Sequence, residues 1–335
     1  GSLAQVHFRA GRSNLKGIPK PDLPRIKEVL KEGGHLMIPL VALVWMLGSG
    51  IPVANTAFYT ILITIAVSWL RKSTRMGLKD IITALEEGTR QSLSTIVACG
   101  VVGIIIAVVN LTSFGSTLTA AITQVGAGSL FLTLFLTMIA SIILGMGLPS
   151  IPAYIITATM AAPALAEFGL PILVAHLFVF YYGIFANITP PVALASFAAA
   201  GLSGGNAMRT SFISVRLAIA GFIVPFLFVY QPALLMVDTT NVATNTVDFP
   251  MASIGSIILV SIIASIGLVC LIAAIEGYFS ADLLVVERII LGAASLGMII
   301  PETYSTIIGT IVVAVIFIIN FYKNKKESNK VIVNI

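Results

Sequence analysis

The stretch LFLTLFLTMIASIILGMGLPSIPAYIITATMAAPALAEF, residues 130–168, decides how this chain is read. An apolar run from Leu130 to Leu144 stops at Gly145-Met146-Gly147-Leu148-Pro149-Ser150, and a second run, Ile151 to Phe168, follows at once. A helix needs about 20 apolar residues to cross a membrane, and both runs fall short. Two short helices flanking a Gly/Pro/Ser tip predict a re-entrant hairpin over 128–168. Its tip would sit at membrane depth but buried in protein, where irregular backbone is tolerated.

The surroundings point the same way. From Gln91 to Ala166 there is no Asp, Glu, Lys, Arg or His. Beyond the hairpin, an apolar segment over 172–202 is interrupted at Asn187-Ile188-Thr189-Pro190-Pro191. Two consecutive prolines remove two backbone donors and disfavour helix at the residue before them. This predicts a broken helix, its first half ending near Ala186 and its second beginning near Val192.

Composition sets the class. Of 335 residues, 58% are hydrophobic before the glycines are counted, and 10% are charged. Soluble domains carry about 45–50% apolar residues with glycine included and about 25% charged. The excess cannot be buried inside one globule, so the expected fold is an all-α polytopic membrane protein. Cys99 and Cys270 lie in apolar stretches and read as small buried hydrophobes, not as a disulfide or thiolate site. The formal charge is +5, but its basic residues sit in short clusters between apolar spans. That is a membrane pattern, and no nucleic-acid partner is expected.

Along the chain, residues 1–34 are polar and basic and read as a solvated cytoplasmic connector. Residues 35–79 hold two transmembrane helices that meet near Gly50-Ile51-Pro52. Asp80 to Gln91 has apolar residues at helical spacing and reads as an amphipathic interfacial arm, followed by a span near 93–113. Further spans fall at about 210–230, 253–275, 282–300 and 303–322, the last three before a basic tail of Lys323, Lys325, Lys326 and Lys330. The loop 233–252 has Asp238 and Asp248 but no Lys or Arg. The positive-inside rule then puts both termini in the cytoplasm and that loop in the periplasm. Parity closes if 128–168 is re-entrant, or else crosses twice as two very short helices.

The two interruptions are the chemical feature. Unwound backbone presents carbonyl oxygens, while half-helix ends aim partial charges at the break. Carbonyls together with the Ser150, Asn187 and Thr189 oxygens suit a hard alkali cation, and half-helix N-termini suit a carboxylate. The plainer reading is that Gly and Pro only kink helices for packing. His176 is an intramembrane ionisable group, but it lies near the Gly169-Leu170-Pro171 loop, where a hydrogen-bonded structural role also fits. Tyr181 and Tyr182 line a cavity or simply pack. Glu276, Asp282, Glu287 and Arg288 surround a turn and read as solvated or paired. Catalysis finds no support: there is no His-Glu-x-x-His pair, no Asp between Asp80 and Asp238, and no phosphate-binding Gly-rich loop. No cofactor is expected, and no metal beyond a coupling ion.

An ordered series of motifs carries a resemblance. Gly-Met-Gly-Leu-Pro-Ser at 145–150, Ala-Ala-Pro-Ala-Leu at 161–165 and His-Leu-Phe-Val-Phe-Tyr-Tyr-Gly at 176–183 come first. Asn-Ile-Thr-Pro-Pro-Val-Ala-Leu-Ala at 187–195, Met-Arg-Thr at 208–210 and Pro-Phe-Leu-Phe-Val-Tyr at 225–230 follow. The series resembles the large membrane subunit of tripartite ATP-independent periplasmic (TRAP) transporters, most strongly over 80–232. More narrowly it is similar to the fused form, in which small and large membrane subunits are one polypeptide, often linked to binding proteins of the TAXI kind.

The resemblance implies an elevator-type secondary transporter in the inner membrane, built from two inverted repeats. Residues 80–232 would form the second repeat, and this chain the C-terminal part of a longer protein. It implies a sodium gradient as driving force, organic carboxylate anions as substrate, and a periplasmic solute-binding protein as partner. The bilayer, the first repeat and the small-subunit helices complete the assembly. Gly145, Gly147, Ser150, Asn187 and Thr189 would contribute to one sodium site, and Pro149, Ser150, Thr189 and Pro190 to the adjoining substrate cavity. Two other readings stand beside this one: a divalent-anion/sodium symporter without a binding protein, and a membrane scaffold subunit that transports nothing.

Overall fold

The computed structural model describes residues 2–13, 19, 23, 25–238, 251–279, 281–299 and 303–333. Among these, no β-strand forms; only two isolated bridges occur, Val237 with Met251 and Tyr278 with Asp282. The protein is helical and falls into two compact units, residues 16–96 and residues 1–15 with 97–335.

The smaller unit contains α2 (Ile26–Gly33), a 3-10 turn (Gly34–Leu36), α3 (Met37–Gly48), α4 (Val53–Ser68) and the start of α5 (Leu78–Thr112). From Ile26 to Gly48 the chain is long and apolar enough to cross a membrane, whereas α4 has 16 residues and is shorter than a full span. Gly50, at φ +78°, makes the turn between α3 and α4. The corner after α4 is tied by side chains. Trp69 Nε1 donates to the Met76 carbonyl at 2.9 Å, and His35 Nε2 lies 2.8 Å from Thr74 Oγ1.

Helix α5 changes one expectation. In place of an interfacial arm and a separate span, it runs unbroken for 35 residues. Nothing between Arg90 and Leu93 stops a helix: there is no proline, and Gly88 costs only about 1 kcal/mol. A second difference follows it. The reading assigned no helix between the span and the hairpin, yet α6 (Phe114–Gly126) lies there, entered through Ser113 in the left-handed region.

In the larger unit, α7 (Leu130–Gly145), α9 (Ala162–Ala166) and α10 (Ile172–Phe185) share one core, while α8 (Ser150–Met160) packs Ile156 and Met160 against Val102 and Val109 of α5. In the shared core Leu134, Leu165, Val174, Phe178, Val179 and Tyr182 are all fully buried. Phe178 and Tyr182 meet edge to face, and the Tyr182 hydroxyl donates to the Phe222 carbonyl, which satisfies its polar end. α11 (Leu194–Ser203) then leads to α12 (Ala207–Leu217) and α13 (Ile219–Tyr230), a pair bent by 42° at Ala218. Residues 239–250, most of the predicted periplasmic loop, lie outside the described residues.

The chain ends in α14 (Ile254–Glu276), α15 (Val285–Ile299) and α16 (Thr303–Val333), which pack side by side around Cys270, Leu291, Val313 and Ile316. Asn320 clips α16 to the α14–α15 turn. Its amide donates to the Ala281 carbonyl at 3.2 Å and accepts from the Ala281 amide at 3.1 Å. Against this bundle lies α1 (Ser2–Arg12), which corrects the reading of 1–34 as solvated throughout. Gln5 and Phe8 are buried; with Ala4, Arg9 and Arg12 they recur at helical spacing on one face.

Candidate functional site

Where the sequence breaks, the helices end. α7 stops at Gly145; the Met146 amide bonds back to Ile143 and the Leu148 amide to Gly145, both at 3.3 Å. Gly147 turns the chain at φ +75°, a value a side chain would strain. Pro149 then precedes the first turn of α8 at Ser150. On the other side α10 stops at Phe185 and unwinds in tight turns. Asn187, Ile188 and Thr189 amides bond to the carbonyls of Ile184, Phe185 and Ala186 at 3.0–3.3 Å. The Pro190–Pro191 bond is cis, Ala193 sits at φ +34°, and α11 begins at Leu194.

Glycines bring the two breaks together. A methyl group on Gly145 would lie 2.5 Å from the Gly183 carbonyl oxygen and 2.9 Å from its Cα, so α7 and α10 touch backbone to backbone. One on Gly183 would meet Thr157 Oγ1 at 3.4 Å and the Ala153 carbonyl at 3.6 Å, which places α8 at the same crossing. At the tip, one on Gly147 would meet Val192 Cγ1 at 3.4 Å. The 145–150 tip and the 186–193 break are therefore neighbours, although some 40 residues separate them.

Four helix ends converge there. α7 and α10 arrive with their C-termini, whose free carbonyls carry partial negative charge, and α8 and α11 leave with N-termini of the opposite sign. Thr189 Oγ1 donates to the Phe185 carbonyl at 2.8 Å, so its proton is committed while its lone pairs remain available as acceptors. The Asn187 and Ile188 carbonyls accept from Ala195 N and Ser196 Oγ, at 2.9 and 3.4 Å, which ties the second half-helix back onto the break. Of the sequence-predicted residues, Gly147 and Ser150 are exposed, while Pro149, Asn187, Thr189 and Pro190 are half-buried and Gly145 is buried in the α7–α10 contact.

His176 is not part of this arrangement. It precedes Asn187 by 11 residues, about 16 Å along a helix, and its Nδ1 lies 3.0 Å from the Tyr154 hydroxyl. The imidazole links α10 to α8, a structural role. Two features escaped the sequence reading. One is the Gly145–Gly183 crossing. The other is a row of fully buried hydroxyls on α7, Thr133, Thr137 and Ser141, none with a hydrogen-bond partner. Their four-residue spacing is the signal that would have found the hydroxyl row.

A chain whose described residues are helical, with several of the helices apolar, is a polytopic membrane protein. The family model described as the tripartite ATP-independent periplasmic transporter, DctM component, matches residues 1–243, and the chain belongs to that family. The match reaches back over the N-terminal segment as well as the 80–232 region. It makes the chain a permease component of a multi-pass inner-membrane transporter that works with a periplasmic binding protein and a small membrane subunit. Neither the comparison with curated proteins nor that with solved structures found a match.

Proposed function

We propose that this chain carries the second inverted repeat of an elevator-type transporter that takes up organic carboxylate anions, driven by sodium. On this reading 128–168 is a re-entrant hairpin and 172–202 its partner broken helix. A sodium ion is held by Gly145 and Gly147 carbonyls with oxygens of Ser150, Asn187 and Thr189. The substrate carboxylate approaches Pro149, Ser150, Thr189 and Pro190. Supporting this is the apposition of the two breaks through Gly145–Gly183 and Gly147–Val192. Carbonyl-bearing C-termini favour the cation, and the N-termini of α8 and α11 favour the anion.

This chain's contribution to the task is made of neutral groups. No Lys or Arg lies between residues 91 and 208, so the anion's charge is met by helix ends, hydroxyls, the bound cation or residues of the first repeat. A coupled pair follows from that arrangement: each ion lowers the cost of placing the other in a low-dielectric site.

The test is uptake into proteoliposomes holding the complete transporter, with and without a sodium gradient and its periplasmic binding protein. Uptake that needs both supports the proposal. Uptake with sodium alone points to a symporter that dispenses with the binding protein. No uptake of any organic acid by folded protein sinks it.

A further inference from the structure

We propose that the arginine cluster beneath α1 is a binding site for a phosphate headgroup, supplied by an anionic membrane lipid or by a soluble phosphate. The cluster gathers around Glu276, the last residue of α14, which is 1% exposed. Both carboxylate oxygens are taken: Gln5 Nε2 donates to Oε1 at 3.1 Å and Arg216 Nη2 to Oε2 at 3.2 Å. Two further guanidinium groups cap the end of α14. Arg12 Nη1 donates to the Glu276 carbonyl at 2.6 Å, and Arg288 donates to the Ala274 and Ile275 carbonyls at 2.8 and 2.9 Å. Three cations are thus accounted for, one by a carboxylate and two by the carbonyl end of a helix.

Arg9 is the remainder. It shares the packed face of α1 with Gln5 and Arg12, and its Nη1 is buried with no hydrogen-bond partner. No hydrogen bond joins that nitrogen to Glu276, whose two oxygens already accept from Gln5 and Arg216. Asp282 is exposed, and Glu287 Oε2 accepts from the Leu284 amide at 2.8 Å. One turn before Arg9, the Gln5 Oε1 is likewise buried and unpartnered. These two atoms call for an anion at Arg9 and a donor at Gln5. A phosphate ester whose headgroup carries a hydroxyl or ammonium supplies both.

The setting favours a lipid. Glu276 ends a 23-residue apolar helix, so the cluster lies where the hydrocarbon gives way to headgroups. Basic pockets between helices at that level hold anionic headgroups. A single bridging water would satisfy hydrogen-bonding atoms too, but would bring no negative charge to a cluster of four arginines.

The experiment uses the full chain in phosphatidylcholine nanodiscs, doped with increasing phosphatidylglycerol or supplied with inorganic phosphate. Lipid retained by the protein is counted by native mass spectrometry, and melting is followed in parallel. Wild type should retain phosphatidylglycerol over phosphatidylcholine. Arg9→Gln should weaken that retention about tenfold, the worth of one charged hydrogen bond, with melting in pure phosphatidylcholine little changed. Arg9→Lys, which keeps the charge, should fall between, and Arg90→Gln, at an exposed position, should match wild type. If inorganic phosphate protects the wild type as well as the lipid does, the ligand is the phosphate and its source is soluble. Equal retention by wild type and Arg9→Gln, or no preference over phosphatidylcholine, overturns the proposal and leaves water between Gln5 and Arg9.

Discussion

Polarity is handled in opposite ways at the two ends of the large unit's chemistry. Residues 145–150 and 186–193 hold no charged side chain; they offer carbonyls, hydroxyls and helix ends, and glycine contacts hold them together. Around Glu276 full charges are used, with one buried carboxylate and four arginines. On the proposed function, the difference follows from what each place must do. A permanent charge is stable only if permanently paired, which suits a fixed corner of the fold. A place that loads and releases ions needs groups that stay neutral when empty, and backbone dipoles meet that condition.

The largest expected effect comes from the neutral place. Gly145→Ala puts a methyl group against the Gly183 backbone, where neither partner is a flexible side chain. Overpacking of this kind costs about 1–3 kcal/mol, and an unyielding backbone contact should reach the top of that range. Sodium-driven uptake should be lost and the melting temperature should fall. Gly100→Ala, on α5 with nothing within 4 Å, should be silent in both assays. Wild-type uptake by Gly145→Ala would show that the two breaks need not touch.

The charged place comes next. Glu276→Gln keeps the shape but leaves Arg216 without its anion. Breaking a buried pair costs about 3–5 kcal/mol, and the half-exposed Arg216 side chain reduces this to about 2 kcal/mol through solvent screening. The same substitution at Glu86, whose 3.0 Å pair with Arg90 is exposed on both sides, should cost under about 0.5 kcal/mol. Equal losses in chemical denaturation would erase the distinction between corner and surface.

These two places were unequally legible in the amino-acid sequence, and the reason is range. Helix ends at Gly145 and Phe185 follow from glycine and proline chemistry written within a few residues of each break. The Gly145–Gly183 contact joins positions far apart in the chain, and no local pattern names a partner. The Glu276 cluster is harder still, because it needs Gln5, Arg216 and Glu276 on three elements. Residues 1–34 read as solvated because seven Lys or Arg lie between Gly1 and Lys31. That tally hides a one-sided helix in which arginines share the packed face with Phe8. α6 was invisible because glycine and hydroxyl residues are scattered through Phe114–Gly126, so no apolar run marks it.

Thr189 tests whether the break chemistry concerns ions or only shape. Thr189→Ala removes the hydroxyl that bonds to Phe185 O, a contact worth about 1 kcal/mol to the fold. As a cation ligand the same oxygen matters more to transport than to stability. The sodium concentration for half-maximal uptake should rise about tenfold with melting nearly unchanged, and Thr189→Ser should restore it. Equal, small losses in both measurements would mark Thr189 as a packing residue.

The smallest expected effect has the opposite sign. Thr137 is fully buried on α7, two turns before Gly145, and its hydroxyl has no partner. In the same chain Thr60, Thr64 and Thr157 donate to the carbonyl four residues back, so the unpaired state is specific to this row. A buried hydroxyl without a partner costs about 1 kcal/mol or more, and valine has nearly the same shape. Thr137→Val should therefore raise the melting temperature if the row is only packing, by an amount equivalent to about 1 kcal/mol. If instead the hydroxyls at 133, 137 and 141 belong with the neutral chemistry at the break, the variant gains stability but loses uptake. Measuring both on one preparation separates a packing fault from an oxygen kept free for an ion.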